Sequence, residues 1–591
     1  LNYKRSYIFS KFIQERSLKL INTDVLIVGA GGAGMYASIA AAKSGKKVIL
    51  ADKSLISRGG ATVMAQMTVA AAVGHEEADH WTHHLADTIK SGQGLCNEEL
   101  SYILCKGAVD RIFEMKEWKT DWALKNDKMS QVMAPGHGVK RCCYVDFLNT
   151  GPAVSKTLRS VVAKQTNIKR VSGLHIIELI VEQNEVIGAL CFDVETGKYI
   201  AINAKAVVLA SGGLTRIFSR NSASLNMGGD AYALALRAGA ELIDMEFPQF
   251  FPIGHLSPRL VGMDPIMWDP FRYKLGGKLL NGNHEQFIEK YGAKDGKTYT
   301  VSRDLASYAI IKEVESGRGS PNGGAWLSFK HVPNYELEKA FGPIIKKLAD
   351  NNIDLTKDLV EVSPIAHYHM GGIKVNAKME TRIKGLFAAG EAVGGANGAN
   401  RLSGNAIPEA FVFGELAGRN AAEYNIKNNT LTIDKAFSTI EEIIKKPKKG
   451  IISKNTNKPQ ITNIMKKLQD IMWKEVGVIR TQKGLSRAID LIHGLSNNFS
   501  KIHLPEDSAY NKKLMDWFDL RNSLLCAEAV CFAAINRKES RGAHQMEDIP
   551  ETIPEYEKNQ IIKLNNGILL SFWEKVKKFS FKLEKKQIGT R

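Results

Sequence analysis

Apolar residues gather into short runs in the first two thirds of the chain and into three- and four-residue spacings further on. The run Thr23–Val28, TDVLIV, predicts a short buried strand leading straight into Gly29-Ala30-Gly31-Gly32-Ala33-Gly34. The alanine-rich MYASIAAAKSG after it predicts a helix with Gly45 as its C-cap glycine. A second strand, Lys47–Ala51, is closed by Asp52. Two more strand-to-glycine segments follow at a distance, AKAVVLASGG at Ala204–Gly213 and GLFAAGEAVGG at Gly385–Gly395. A doubly wound sheet binds its ligand at the carboxyl ends of such strands, so the three segments predict one α/β nucleotide domain interrupted by an insertion. Lysine and asparagine rise through Asn425–Lys458, which reads as a linker. Ile461–Asn536 has helical spacing and predicts a short bundle. The last stretch is polar and basic, with a helix expected around Leu569–Phe579. The expected division is an N-terminal extension (1–22), a nucleotide-binding domain (23–234 and 356–425), an insertion (235–355), a linker (426–460), a helical domain (461–550) and a basic tail (551–591).

The first strand–turn–helix–strand unit carries its own chemistry. Gly29 permits the tight turn, Gly31 lets the backbone approach a pyrophosphate, and Gly34 lets helix and strand pack closely. The helix N-terminus then offers free N–H groups and a favourable dipole to the phosphates. Asp52, 18 residues beyond Gly34, is placed to hold a ribose hydroxyl.

A chain of 591 residues exceeds one ordinary domain, and 44% hydrophobic with 24% charged residues is the balance of a globular protein. Collagen, disorder and a repeat array are excluded as descriptions of the whole. No stretch of 18 apolar residues free of charge occurs, so no membrane span is expected. The seven cysteines (Cys96, Cys105, Cys142, Cys143, Cys191, Cys526, Cys531) form no CxxC pair, which argues against metal, redox and disulfide roles and for a reducing, cytoplasmic setting. The first twenty residues hold five cations and no continuous apolar run, unlike a secretory signal. The net charge of +18 comes without a nucleic-acid-binding motif and reads as a lysine-rich solvated surface.

Taken in order, Gly29–Gly34, AKAVVLASGG, RAGAELIDMEF from Arg237, SRDLAS from Ser302, AHYHMGG from Ala366, GLFAAGEA, GANRLSGN from Gly398 and KESRGAH from Lys538 resemble the flavoprotein subunits of succinate dehydrogenase and fumarate reductase, with L-aspartate oxidase as a close relative. The resemblance runs from about Thr23 to about Pro550. It implies a Rossmann-like FAD-binding domain, an inserted α+β capping domain and a C-terminal helical bundle. It implies FAD on Gly29, Ala30, Gly31, Gly32, Ala33 and Gly34, with Asp52 and Lys53 near the adenosine ribose. The isoalloxazine would lie along Gly59, Gly60, Ala61, Thr62, Ala65 and Gln66, and Asp230, Glu391, Ala406 and Ile407 would complete the site. Many members tether the flavin through a histidine before a Thr-Val pair; here Ala61 precedes Thr62-Val63, so a non-covalent flavin is expected. The implied reaction is hydride transfer between flavin N5 and a carbon next to a carboxylate. Arg401 and His367 match the carboxylate-binding pair, Arg303 the proton donor, and Asp269 with Arg272 the relay that reloads it. No metal site is expected in the chain. An iron–sulfur electron-transfer subunit is the partner that the resemblance brings in, and a peripheral position at the inner face of the cytoplasmic membrane would follow from it.

Two positions depart from the family. Its C4-dicarboxylate members carry a histidine where this chain has Phe251 and a threonine where it has Trp268, both at the end of the substrate remote from Arg401. Burying a carboxylate against two aromatic rings is costly. A monocarboxylate with an apolar or aromatic far end is therefore expected, unless His255, Tyr308 or His369 supplies the lost donor. The alternative of an L-aspartate oxidase is disfavoured by Ala543, where those enzymes usually carry leucine. A flavoprotein without catalysis is disfavoured by the retention of Arg303, His367 and Arg401.

Overall fold

Strand Lys19–Val28 pairs in parallel with Val48–Asp52 on one side and with Lys198–Leu209 on the other. Helices Gly32–Lys43 and Ala406–Glu423 pack on the sheet, and the last residues of the strand form an unbroken buried apolar run instead of alternating. The structure is a computed structural model and describes residues 18–146, 148–260, 266–268, 275–292, 303–425, 430–445, 460–502 and 509–580. Ile168–Ser172 extends the sheet beyond Val48–Asp52, and Leu386–Ala388 joins Lys198–Leu209 in parallel. Glu185–Asp193 and Leu174–Glu182 complete it as antiparallel strands, seven in all among the described residues. The alanine-rich segment forms helix Gly32–Lys43, ended by Ser44 with Gly45 at φ +76°. Helix Ala406–Glu423 packs so closely on it that a Cβ at Gly418 would stand 2.1 Å from the Ala37 carbonyl oxygen.

The insertion builds a second sheet together with Leu359–His369, a strand beyond the expected bound at residue 355, in the order Pro248–Ser257, Leu359–His369, Ala325–Ser328, Lys278–Leu280, all antiparallel. Its core is separate and holds Phe251, Trp268, Leu327, Val360 and Ile365. Helix Arg303–Glu315 packs on the first of these strands. The fold is thus an α/β FAD-binding type of domain with an inserted α+β unit and a helical C-terminal part. That part consists of Ile461–Glu475, Gln482–Phe499 and Lys512–Asn536, the last two capped by the side chains of Thr481 and Asn511.

Two expectations need correction. The lysine- and asparagine-rich segment is not all loop: Ile433–Lys445 is a helix, because Ala436, Ile440 and Ile443 recur at helical spacing and are buried. No helix forms at Leu569–Phe579. Lys558–Asn565 and Ile568–Lys575 make a β-hairpin around Asn566-Gly567, both in the left-handed region. Asn-Gly is the dipeptide that such a two-residue turn demands. The period is two: Leu569 is buried between exposed Ile568 and Leu570.

Candidate functional site

Val28, Ala51, Leu209 and Ala388 lie side by side in register, so four parallel strands stop together. The loops that follow them line one cavity with about 1490 Å³ of empty space, part of it open to solvent. Gly29 takes φ +100°, and a Cβ there would stand 2.5 Å from the Ala210 carbonyl oxygen. A Cβ at Gly34 would stand 1.8 Å from the Gly29 carbonyl oxygen. At Gly31 it would meet only Thr62 Oγ1, at 3.8 Å. The first and third glycines are therefore fixed by protein atoms, and the second keeps open space in front of a helix N-terminus that Gly31, having no side chain, does not itself cap. Ser211 Oγ and both ring nitrogens of His175 have no hydrogen-bond partner, although both residues line the cavity. Space, free backbone donors and orphaned polar atoms fit a dinucleotide.

Asp52 accepts the Ala30 N–H through Oδ2 at 2.8 Å and the Ser54 N–H and hydroxyl through Oδ1, so it braces the glycine turn. Lys53 Nζ lies 2.7 Å from Asp230 and 2.8 Å from Asp519, a residue of the long helix Lys512–Asn536. Burial pushes the Asp230 carboxyl up, but the Lys53 charge overrides it and holds the group down at about 2. Arg216 joins the cluster through Asp519 at 2.8 Å. His175, Asp230 and Asp519 are close enough together to ligate a cation, but the Lys53 ammonium already bonds both carboxylates. Gly59, Gly60, Ala61, Thr62, Ala65 and Gln66 form one wall, with Thr62 Oγ1 accepting the Gly32 N–H at 3.1 Å.

At the other end Phe251, His367 and Arg401 line the same cavity. His367 Nδ1 is hydrogen-bonded to Ser222 Oγ at 2.8 Å, and its ring lies 5.5 Å from that of Phe251. The Arg401 guanidinium stacks on Tyr368 at 4.3 Å. Behind them stand Glu391, on the wall, and Glu409, one turn into the helix whose first residues Ala406 and Ile407 also line the cavity. Met67 and Met267 extend the apolar side beside Phe251. Trp268 is fully buried and gives its indole N–H to His255 Nδ1 at 3.1 Å, and His255 Nε2 meets the Pro258 carbonyl at 2.5 Å. Both ring nitrogens of His255 are thus engaged inside the insertion. His369 is bound to the Met245 carbonyl and to Tyr232, and Tyr308 packs edge-on against Tyr291. None of these three is among the residues lining the cavity. Arg303 opens helix Arg303–Glu315, and its neighbour Asp304 accepts from Asn400, the residue before Arg401, at 3.0 Å. Asp269 and Arg272 lie outside the described residues.

Sequence reasoning missed several groups that the fold brings to this cavity. Ser222, Tyr368, Asn226 and Met267 had visible neighbours in quoted motifs or in the Phe251–Trp268 region. His175 and Asp519 carried no local signal, because an antiparallel strand and a helix more than 300 residues apart in sequence bring them to Lys53.

A family model described as "FAD binding domain" matches residues 24–407, and one described as "Fumarate reductase flavoprotein C-term" matches residues 465–584. An uncharacterized FAD-dependent oxidoreductase of Methanocaldococcus jannaschii is 35% identical over 92% of this chain and 96% of its own length. A fumarate reductase (CoM/CoB) polypeptide of Methanothermobacter marburgensis is 32% identical over 92% and 97%. Among solved structures, Mycobacterium smegmatis Sdh1 superposes with a TM-score of 0.85 at 30% identity, covering 94% of this chain and 95% of that one. The FrdA chain of Escherichia coli quinol fumarate reductase gives 0.86 at 28% identity, covering 96% and 99%. With the glycine cradle, the cavity and both matched regions in one continuous chain, the protein belongs to the fumarate reductase and succinate dehydrogenase flavoprotein family and is an FAD-dependent oxidoreductase of that type.

Proposed function

We propose that this flavoprotein interconverts a carbon–carbon single and double bond next to a carboxylate, and that its substrate is a monocarboxylate with an apolar or aromatic far end. The observation that carries the substrate choice is that Phe251, Met67 and Met267 line the cavity together with His367 and Arg401, with the Phe251 ring 5.5 Å from that of His367. Arg401 and His367 bind the one carboxylate. The guanidinium fork meets both oxygens and stays charged, and Ser222 fixes the imidazole. The bound flavin supplies hydride exchange at N5. Arg303 delivers the proton to the neighbouring carbon, with Asp269 and Arg272 reloading it. Gly29–Gly34, Asp52, Lys53 and Asp230 hold the dinucleotide, and Glu391, Ala406 and Ile407 bound its other end. Ala61 offers no nucleophile, so the flavin is held without a covalent bond. Several relatives carry names of subunits, and by that likeness an iron–sulfur protein exchanges electrons with this chain and holds it at the inner face of the cytoplasmic membrane. Among the described residues no helix is long and apolar enough to cross a membrane.

The test is anaerobic reduction of the purified protein followed by reoxidation with a panel of 2-enoates. Acid precipitation of an aliquot leaves all yellow colour in the supernatant if the flavin is untethered, whereas colour in the pellet contradicts this. An alkyl or aryl 2-enoate should reoxidise the flavin faster than fumarate by about 10² or more, the cost of roughly two missing charge-assisted hydrogen bonds. Fumarate as the fastest oxidant, saturating at micromolar concentration, would overturn the substrate reading.

A further inference from the structure

Glu409 is an acid that the hydride chemistry does not use, and it is 1% exposed. Its Oε2 accepts the Tyr368 hydroxyl and the Asn397 side-chain N–H, the latter at 2.9 Å, while Oε1 has no hydrogen-bond partner. The Tyr368 ring is the face on which the Arg401 guanidinium rests. A second acid, Glu391, stands on the cavity wall and accepts the His369 N–H through Oε1 at 3.2 Å. Both carboxyls face the charge of Arg401. The Tyr368 and Tyr232 phenols and the His369 imidazole beside them are neutral. Burial pushes the Tyr368 and Tyr232 phenols far up and pulls His369 down to about 4. Asn397 continues to Asn405 and then to His84, which burial pulls down to about 3. Two buried carboxylates against one guanidinium leave a negative charge uncompensated, which a dry interior tolerates poorly. Burial accordingly pushes Glu391 up to about 8 and Glu409 up to about 7.

The two donors on Oε2 favour the ionised form of Glu409 as long as Arg401 can compensate it. Electrons entering the cavity draw on the same guanidinium. Oε1 is then the open seat for a proton.

We propose that Glu409 is a redox-linked proton acceptor, taking one proton from solvent as two electrons enter the flavin cavity and returning it as they leave. In balance, two electrons and one proton go to the cofactor and a second proton converts the Glu409 carboxylate to a carboxylic acid. Glu409 acts through Tyr368 and Arg401 as a positioning residue and does not touch the cofactor. The inference rests on FAD binding and is independent of which enoate is reduced.

The readout is the midpoint potential of the bound flavin in the holoprotein, followed spectroelectrochemically against pH. A two-electron couple falls by about 30 mV per pH unit with one accompanying proton and by about 60 mV with two. The unaltered protein should show the steeper slope over a range beginning near pH 7, and Glu409→Gln should show the shallower slope throughout. Tyr368→Phe keeps the acid, removes a donor to its ionised form, and should move the steep range to higher pH. A shallow slope throughout in the unaltered protein, or a steep range that survives Glu409→Gln and vanishes in Glu391→Gln, would overturn the proposal. Should Glu409→Gln fail to fold, the reduced-minus-oxidised infrared difference spectrum of the unaltered protein decides. A protonated-carboxyl band gained on reduction and displaced in Tyr368→Phe supports it, and the lack of such a band overturns it.

Discussion

Phe251 is 1% exposed, its ring lies 5.5 Å from that of His367, and it lines the cavity with Met267, so a substrate group against this side meets carbon. Trp268 stands behind, its indole N–H turned to His255. Phe251→His with Trp268→Thr should therefore improve fumarate reduction and weaken the preferred monocarboxylate, with an affinity gain of up to about 10²–10⁴-fold for two restored charge-assisted bonds. The single variants should each do less, since both donors serve one carboxylate. Fumarate kinetics unchanged in the double variant would show that the second carboxylate is held elsewhere. Arg303 is tested separately. Arg303→Ala should retain FAD and normal dithionite reduction, yet lose at least ~100-fold in turnover, the scale of a positioned proton donor. Near-normal turnover would remove Arg303 from the proton step.

A buried acid adds to the pairing of the C-terminal hairpin with Leu242–Ile243, just before strand Pro248–Ser257. Asp244 accepts the Asn559 side chain at 2.6 Å and the Gln560 N–H at 2.9 Å. Burial and then the nearby Glu246 charge push its carboxyl up to about 8, with Arg537 only partly offsetting them. The folded chain then binds a proton here that the unfolded chain, with a carboxyl near 3.9, has released. Stability from this group is complete below about pH 4, falls as pH rises, and levels off above about pH 8. Amide exchange in Lys558–Lys575, corrected for its intrinsic pH dependence, should be faster at about pH 9 than at about pH 6, and Asp244→Asn should flatten that difference. Equal protection at both pH values in the unaltered protein would rule the latch out. This hairpin also marks the limit of what the chain discloses when read as a string. The glycine turn was legible because Gly29, Gly31 and Gly34 act within six residues of one another. The hairpin's Asn566-Gly567 signal was equally local, but the surrounding lysines masked the two-residue alternation. The helix at Ile433–Lys445 was hidden in the same way. Phe251 was readable as a departure, whereas the engagement of His255 by Trp268 was not, since it depends on an isolated antiparallel bridge between Gly254 and Met267 that no periodicity announces. The Lys53–Asp519 contact spans 466 residues and leaves no periodic trace.

At the scale of the whole molecule, the described residues offer a cavity for the flavin, and nothing in the sequence supplies a CxxC-type metal centre to carry single electrons onward. The proposed iron–sulfur partner is checked by isolating the tagged chain from its own cells under mild, low-salt conditions and assaying iron and acid-labile sulfide. Stoichiometric amounts that disappear in high salt are expected for a partner drawn to a +18 chain, and their lack at low salt would count against it. The cavity wall has one more consequence, which concerns time. Its lining is drawn from Val28 through Ala410, and the aspartate that seats Lys53 comes only at position 519. At a synthesis rate of about 5–20 residues per second, the glycine cradle leaves the ribosome tens of seconds before the last of its supports exists. A flavin that enters before residue 519 has emerged meets a lining that is already present but a Lys53 that Asp519 does not yet seat.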